Sequence, residues 1–168
     1  MEKNASETIS SSVSQIDINK VKPGDYWYVD NTFSDEKVRG KKVKAIVELV
    51  ENGVIYGNLT MSQLCKVESV VIRNWNELKE WIRNFKYPFG PKEYLAWYSD
   101  GQLAKVWKNQ DLTRRKIKSD GQHKGFEFTS TEVGGDKAYM LYYGKVRAPF
   151  YKNVSSSIYV PIIAIKVL

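Results

Sequence analysis

Apolar positions change period twice along the chain, dividing it into strands, then helices, then strands again. Pro23-Gly24-Asp25 is turn chemistry, since Pro presets φ, Gly accepts positive φ and Asp bonds its own backbone. The aromatic run Tyr26-Trp27-Tyr28-Val29 follows as a strand, closed by a second turn at Asp30-Asn31-Thr32. Val43 to Val50 is nearly continuous in β-branched and apolar residues, Glu51-Asn52-Gly53 supplies a positive-φ turn, and Val54-Ile55-Tyr56 returns as a hairpin. Lys66 to Ile72 alternates as a further strand.

From Asn74 the spacing becomes helical. Trp75, Leu78, Ile82 and Phe85 trace one face and Trp81 widens it. Asn74 is suited to cap that helix, with Glu77 three residues on, and Pro88 disfavours helical geometry at Tyr87. The spacing therefore predicts a helix over about 75–86. Tyr87 to Tyr98 reads as a connector. Ser99 with Gln102 marks a second helix over about 101–113, along Leu103, Val106, Trp107 and Gln110, and the cations Arg114 to Lys118 suit the negative end of its dipole.

Strand patterns resume at Phe126-Glu127-Phe128. Gly134-Gly135-Asp136 is a turn, Ala138 to Tyr143 a strand and Gly144-Lys145 a tight turn into Val146-Arg147-Ala148. Ile158 to Val167 reads as a closing strand, in which Pro161, lacking an N–H, marks an edge, a bulge or a strand start. The order predicts an α+β fold in which two helices lie between antiparallel strands from both ends of the chain. Residues 1–20, Ser-rich and polar, read as a flexible lead-in, with Ile16 and Ile18 as a strand start, to one domain over 21–168.

Composition fits one soluble domain: 168 residues, 42% hydrophobic, with eleven Tyr and five Trp. One cysteine, Cys65, permits neither an intrachain disulfide nor a thiolate metal cluster. Cys65 reads as a small hydrophobe; a nucleophilic pair with the one histidine, His123, is the sharper and rarer alternative. Neither an apolar leader nor a membrane-length apolar run is present in the sequence, so the expected compartment is cytoplasmic, or surface, secreted or virion-associated if a leader has been removed.

The net charge is +7, and Arg73 to Lys124 carries twelve Lys and Arg against six Asp and Glu. That excess raises a nucleic-acid or polyanion partner through Arg114, Arg115, Lys116 and Lys118, set against the plainer reading of solvated helix faces.

Gly24-Asp25-Tyr26-Trp27-Tyr28 with Asp30-Asn31-Thr32-Phe33-Ser34 resembles the opening of bacterial C-type lectin-like domains, in which Gly-Asp-aromatic-x-Tyr precedes Asp-Gly-Thr-x-Ser. Phe128-Thr129-Ser130-Thr131-Glu132 is similar to their Trp-Ser-Ser-Thr-Glu motif, and Ala138-Tyr139, Gly144, Lys152 and Tyr159-Val160 fall at the family's spacing. These are the domains of collagen-like adhesin C-termini and Fibrobacter-type paralogous proteins, whose wider fold includes retroelement-diversified receptor-binding proteins. The resemblance spans about Val21 to Leu168. It departs at Arg73-Asn74-Trp75-Asn76-Glu77-Leu78, where the family has Trp-x-Leu-Pro-Thr, and the calcium-ligand triplets of animal lectins are missing. The resemblance implies a calcium-independent, non-enzymatic adhesion domain without cofactor, presenting its ligand face on C-terminal strands and loops.

Thr129 to Glu132 reads as a turn shaped by its own hydroxyls, since nothing near Ser130 in sequence would activate it. Val146 to Ser157 reads as a loop whose Arg147, Tyr151, Lys152 and Asn153 combine charge, flat aromatic area and short polar groups, as binding surfaces do. Trp97 is a second candidate for stacking, against the plainer role of filling space between helices and sheet. The expected partner is a protein or glycan, with self-assembly of exposed aromatics as a further reading.

Overall fold

The computed structural model describes residues 15–59, 72–85, 90–155 and 162–167. The strand predicted over Lys66 to Ile72 lies outside them except for Ile72, as do Cys65, Tyr87, Pro88 and Pro161. The architecture is α+β, with three α-helices among the described residues and two antiparallel sheets.

The larger sheet has the order β2-β1-β3-β4-β9-β5. It comprises β1 (Tyr26–Tyr28), β2 (Phe33–Ser34), β3 (Val43–Glu51), β4 (Val54–Asn58), β5 (Glu93–Ala96) and β9 (Ile162–Lys166). The β3–β4 hairpin forms where the sequence places it, with Asn52 and Gly53 at φ 51° and 75°, the left-handed pair that a tight hairpin needs. Strands from both ends of the chain do meet in this sheet, for β9 lies antiparallel to β4. The connector read over 87–98 is corrected in part: Glu93–Ala96 pairs with β9 and closes one edge. Residues 18–20 form a 3-10 turn capped by Asp17 rather than a strand start, and Ile16 and Ile18 pack on the core.

The helices are α1 (Trp75–Asn84), α2 (Asp100–Lys108) and α3 (Gln110–Thr113). Asn74 caps α1, accepting from the Glu77 N–H at 3.0 Å, and Ser99 with Gln102 makes a reciprocal capping box at α2. The single helix expected over 101–113 is broken at Asn109. Its side-chain amide donates to the Glu48 carbonyl at 3.3 Å and its backbone leaves helical geometry, so α3 is one separate turn. The Arg114–Lys116 run continues as a 3-10 turn.

One core lies on the face of the large sheet carrying Trp27, Val47, Ile55, Leu95, Ile163 and Ile165, where Trp81 and Ile82 of α1 pack. Trp27 is wholly buried, and its indole lies where a side chain at Gly57 would be: a Cβ there would stand 2.7 Å from the ring. The second core joins Leu49, Tyr98 and Ile162 to Leu103 and Val106 of α2 and to Leu141 of the small sheet. That sheet is β6 (Phe126–Val133), β7 (Lys137–Tyr142) and β8 (Val146–Tyr151), in that order.

Candidate ligand-binding surface

The alternation of β6, β7 and β8 assigns their side chains to two faces. Residues paired across strands share a face, and every second residue returns to it. Leu141, paired with Glu127 and Arg147, buries with α2, so that face is the inner one. The outer face then carries the row Phe126, Tyr142, Val146 and the row Phe128, Met140, Ala148, followed by Ala138 and Phe150. Glu132, paired with Ala138 and held by Lys79 and Lys152, is the one charged side chain in these rows. The rings of Phe128 and Phe150 stack at 4.3 Å, meeting over the central strand where wholly buried Ala138 leaves room.

Six of the ten large hydrophobic residues exposed among the described residues belong to this sheet and its flanking turns: Phe126, Tyr142, Tyr143, Val146, Tyr151 and Val154. Tyr143 and Gly144 both take positive φ, at 49° and 71°, and the hairpin turn rests on Trp107 of α2, whose ring meets Tyr143 edge-on at 5.8 Å. A Cβ at Gly144 would come within 2.3 Å of the Trp107 Cβ, so glycine is required there by contact and by φ.

The residues singled out from sequence divide sharply. The stretch Val146 to Ser157 was expected to be a loop, yet Val146–Tyr151 is a strand. Arg147 and Tyr151 are exposed, on the face opposite the apolar rows, with Arg147 at the margin of the cover given by α2. Arg147 lies over the Tyr139 ring at 4.9 Å and donates to Asp100 at 3.0 Å, while Lys137 lies over Tyr151 at 4.8 Å. Burial on its own raises the Asp100 carboxyl, but the bonds from Arg147, Thr131 and Gly101 outweigh it and hold the pKa below the usual value. Asn153 is exposed.

Lys152 belongs to the scaffold. It is 7% exposed, donates to the Gly135 carbonyl at 3.0 Å, pairs with Glu132 at 3.4 Å and lies 4.6 Å above the Trp75 ring. Trp97 is likewise engaged, donating to the Phe128 carbonyl at 3.1 Å with its ring 5.1 Å from Trp75. Thr129 to Glu132 lies within β6, at a break in its register, and its hydroxyls do bond nearby groups. The Thr129 hydroxyl donates to the Tyr139 carbonyl at 2.8 Å, and that of Thr131 accepts from the Asp100 N–H at 3.0 Å. In the basic run, Lys116 is spent on the fold, donating to the Gly24 and Asp35 carbonyls at 2.7 and 2.8 Å.

A buried polar cluster escaped the sequence reading. His123 sits between two carboxylates, with Nδ1 2.8 Å from Glu127 and Nε2 2.7 Å from Glu48. Glu48 also accepts from the Tyr98 hydroxyl at 3.1 Å and the Asn58 amide at 3.2 Å. Burial alone would lower the imidazole's pKa, but Glu48 and Glu127 outweigh it and raise the value to about 10. His123 is therefore a doubly donating cation at neutral pH, tying β3 to β6. With both nitrogens occupied, it is not poised as a base for Cys65 or any other nucleophile. No group of His, Cys, Asp and Glu among the described residues is arranged to hold a metal ion.

Comparison with family models, with curated proteins and with solved structures found no match to this chain.

Proposed function

We propose that the protein is a non-enzymatic adhesion domain of C-type lectin-like fold, from a bacterial surface or phage-associated protein, that holds a protein ligand against the β6–β8 sheet. The carrying observation is the concentration of exposed aromatic and aliphatic side chains on that sheet, since an apolar patch of this kind on a folded domain is characteristic of an interaction surface. The motifs at Gly24–Ser34 and Phe128–Glu132 support the family, and the joining of strands from both ends of the chain in one sheet is in keeping with it.

A protein suits this surface better than a glycan. Sugar recognition pairs a free aromatic face with carboxylates and amides that reach the hydroxyls. Here Arg147 and Lys137 occupy faces of Tyr139 and Tyr151, Glu127 is buried, and Glu132 is paired with Lys79 and Lys152. The outer rows offer apolar area bordered at the hairpin turn by exposed Lys145, which calls for a partner with an apolar centre and an acidic group at its rim.

The test is a screen of arrayed protein ectodomains and arrayed glycans, followed by two variants, Tyr142→Ser with Val146→Ser and Arg147→Ala with Tyr151→Ala. Both should keep the wild-type circular dichroism; the first, on the outer rows, should weaken binding to a protein hit at least tenfold, and the second, on the opposite face of the edge strand β8, should weaken it less. Undiminished binding in both, or hits confined to glycans, overturns the reading; light scattering that shows concentration-dependent dimers lost in the first variant assigns the face to a second copy instead.

A further inference from the structure

Lys116 staples together two segments that the sequence holds far apart, and in doing so gathers cations that have no other role in the fold. Its ammonium donates to Gly24 and Asp35, pairs with the Asp35 carboxylate at 3.6 Å and lies 4.7 Å over the Tyr26 ring. On one side stand Arg114, Arg115 and Lys118, in the 3-10 turn and just after it. On the other stand Lys37 and Arg39, in the loop between β2 and β3, which the Tyr28 hydroxyl secures by accepting from the Val38 N–H at 2.8 Å. All five cations are exposed, and the side chain of none has a hydrogen-bond or ion-pair partner among the described residues.

The apolar residues interspersed with them are aliphatic. Leu112 is 55% exposed, one turn before the 3-10 segment, and Val38 is 39% exposed, between Lys37 and Arg39. The two are bridged in part: a Cβ at Gly24 would meet Leu112, Gly24 accepts from Lys116, and Lys116 holds Asp35, three residues before Val38.

We propose that this face docks on an anionic phospholipid surface. Unpaired cations there meet the headgroup phosphates, while Leu112 and Val38 enter the boundary between headgroups and acyl chains. The aliphatic character decides between polyanions. Single-stranded nucleic acid is held by aromatic platforms on which bases stack, and the exposed aromatics among the described residues lie instead on β5 and on the β6–β8 sheet and its hairpin turn. The contact is peripheral, as no helix among the described residues is long and apolar enough to cross a membrane. This face is separate from the proposed ligand surface, so either can fail without the other.

The experiment is co-sedimentation of the full chain with phosphatidylcholine vesicles, with and without phosphatidylglycerol, beside binding of the same protein to a short labelled DNA. Expected is partitioning onto the phosphatidylglycerol vesicles alone, weakened by salt. Each charge removed should cost about fivefold, so Arg114→Gln, Arg115→Gln and Lys118→Gln together should weaken binding on the order of a hundredfold. Leu112→Ser should weaken vesicle binding several-fold and leave any DNA binding unchanged, with both variants retaining the wild-type melting temperature. Absence of partitioning overturns the proposal. So does DNA binding tighter than vesicle binding, or vesicle binding that Leu112→Ser leaves intact.

Discussion

At the scale of single residues, His123 carries the largest electrostatic consequence. Its pKa is about 10 in the fold against 6.5 for an ordinary histidine, so its ion pairs contribute fully below pH 6.5 and are lost as pH rises toward 10. Stability measured by denaturant titration should therefore fall across that window. His123→Gln should abolish the slope and cost about 3–5 kcal/mol at neutral pH, because two buried carboxylates lose their shared cation. The same residue shows what a sequence hides. Glu48 is seventy-five positions away, and nothing in the apolar run around it says whether its side chain meets solvent or a buried partner. Arg147 and Lys152 make the converse case. Both are cations in one short stretch, yet β8 leaves Arg147 exposed while Lys152, just past its end, folds back over Trp75.

At the scale of elements, features specified by neighbouring residues were legible and features specified by distant partners were not. The β3–β4 hairpin and the caps of α1 and α2 depend on turn and cap residues within a few positions, and they stand where the pattern puts them. The strand β5 is four residues long and owes its existence to β9, so periodicity alone read it as a connector. The mix of Arg147, Tyr151, Lys152 and Asn153 with the serines beyond reads as a loop, although Val146–Tyr151 is β8. In the structure it is the open edge of its sheet, where a proline is tolerated and discourages pairing with another chain. Two glycine positions separate backbone requirement from convenience. Gly144→Ala should destabilise by more than about 1 kcal/mol, through positive φ and collision with Trp107. Gly101→Ala, inside α2 with open space around it, should stabilise by about 0.5–1 kcal/mol. Thermal melts of the two variants check both signs.

At the scale of the molecule, the two sheets differ in how they are held. The large one has β4 and β9 inside it, each paired on both sides, with Ile55, Ile163 and Ile165 wholly buried or nearly so. The small one is covered by α2 on its inner face and tied to the rest of the molecule by His123, Trp75, Trp97 and Ser130, while part of its outer face meets solvent. Amide hydrogen exchange should therefore be slowest in β4 and β9 and at least an order of magnitude faster in β8; equal protection in the two sheets would show that they open as one unit. That the strands form two sheets is itself absent from the linear pattern, because strands of either sheet alternate in the same way.

The position of β9 bears on how the protein is made. It follows every other described strand in sequence, yet it sits between β4 and β5 and is the sole neighbour of β5. A nascent chain leaving the ribosome therefore presents the β3–β4 hairpin early, with one long side of β4 bare and β5 without any partner until residues 162–166 emerge. The large sheet closes only once residues 162–166 are available, and until then the bare side of β4 must be kept from pairing with other chains.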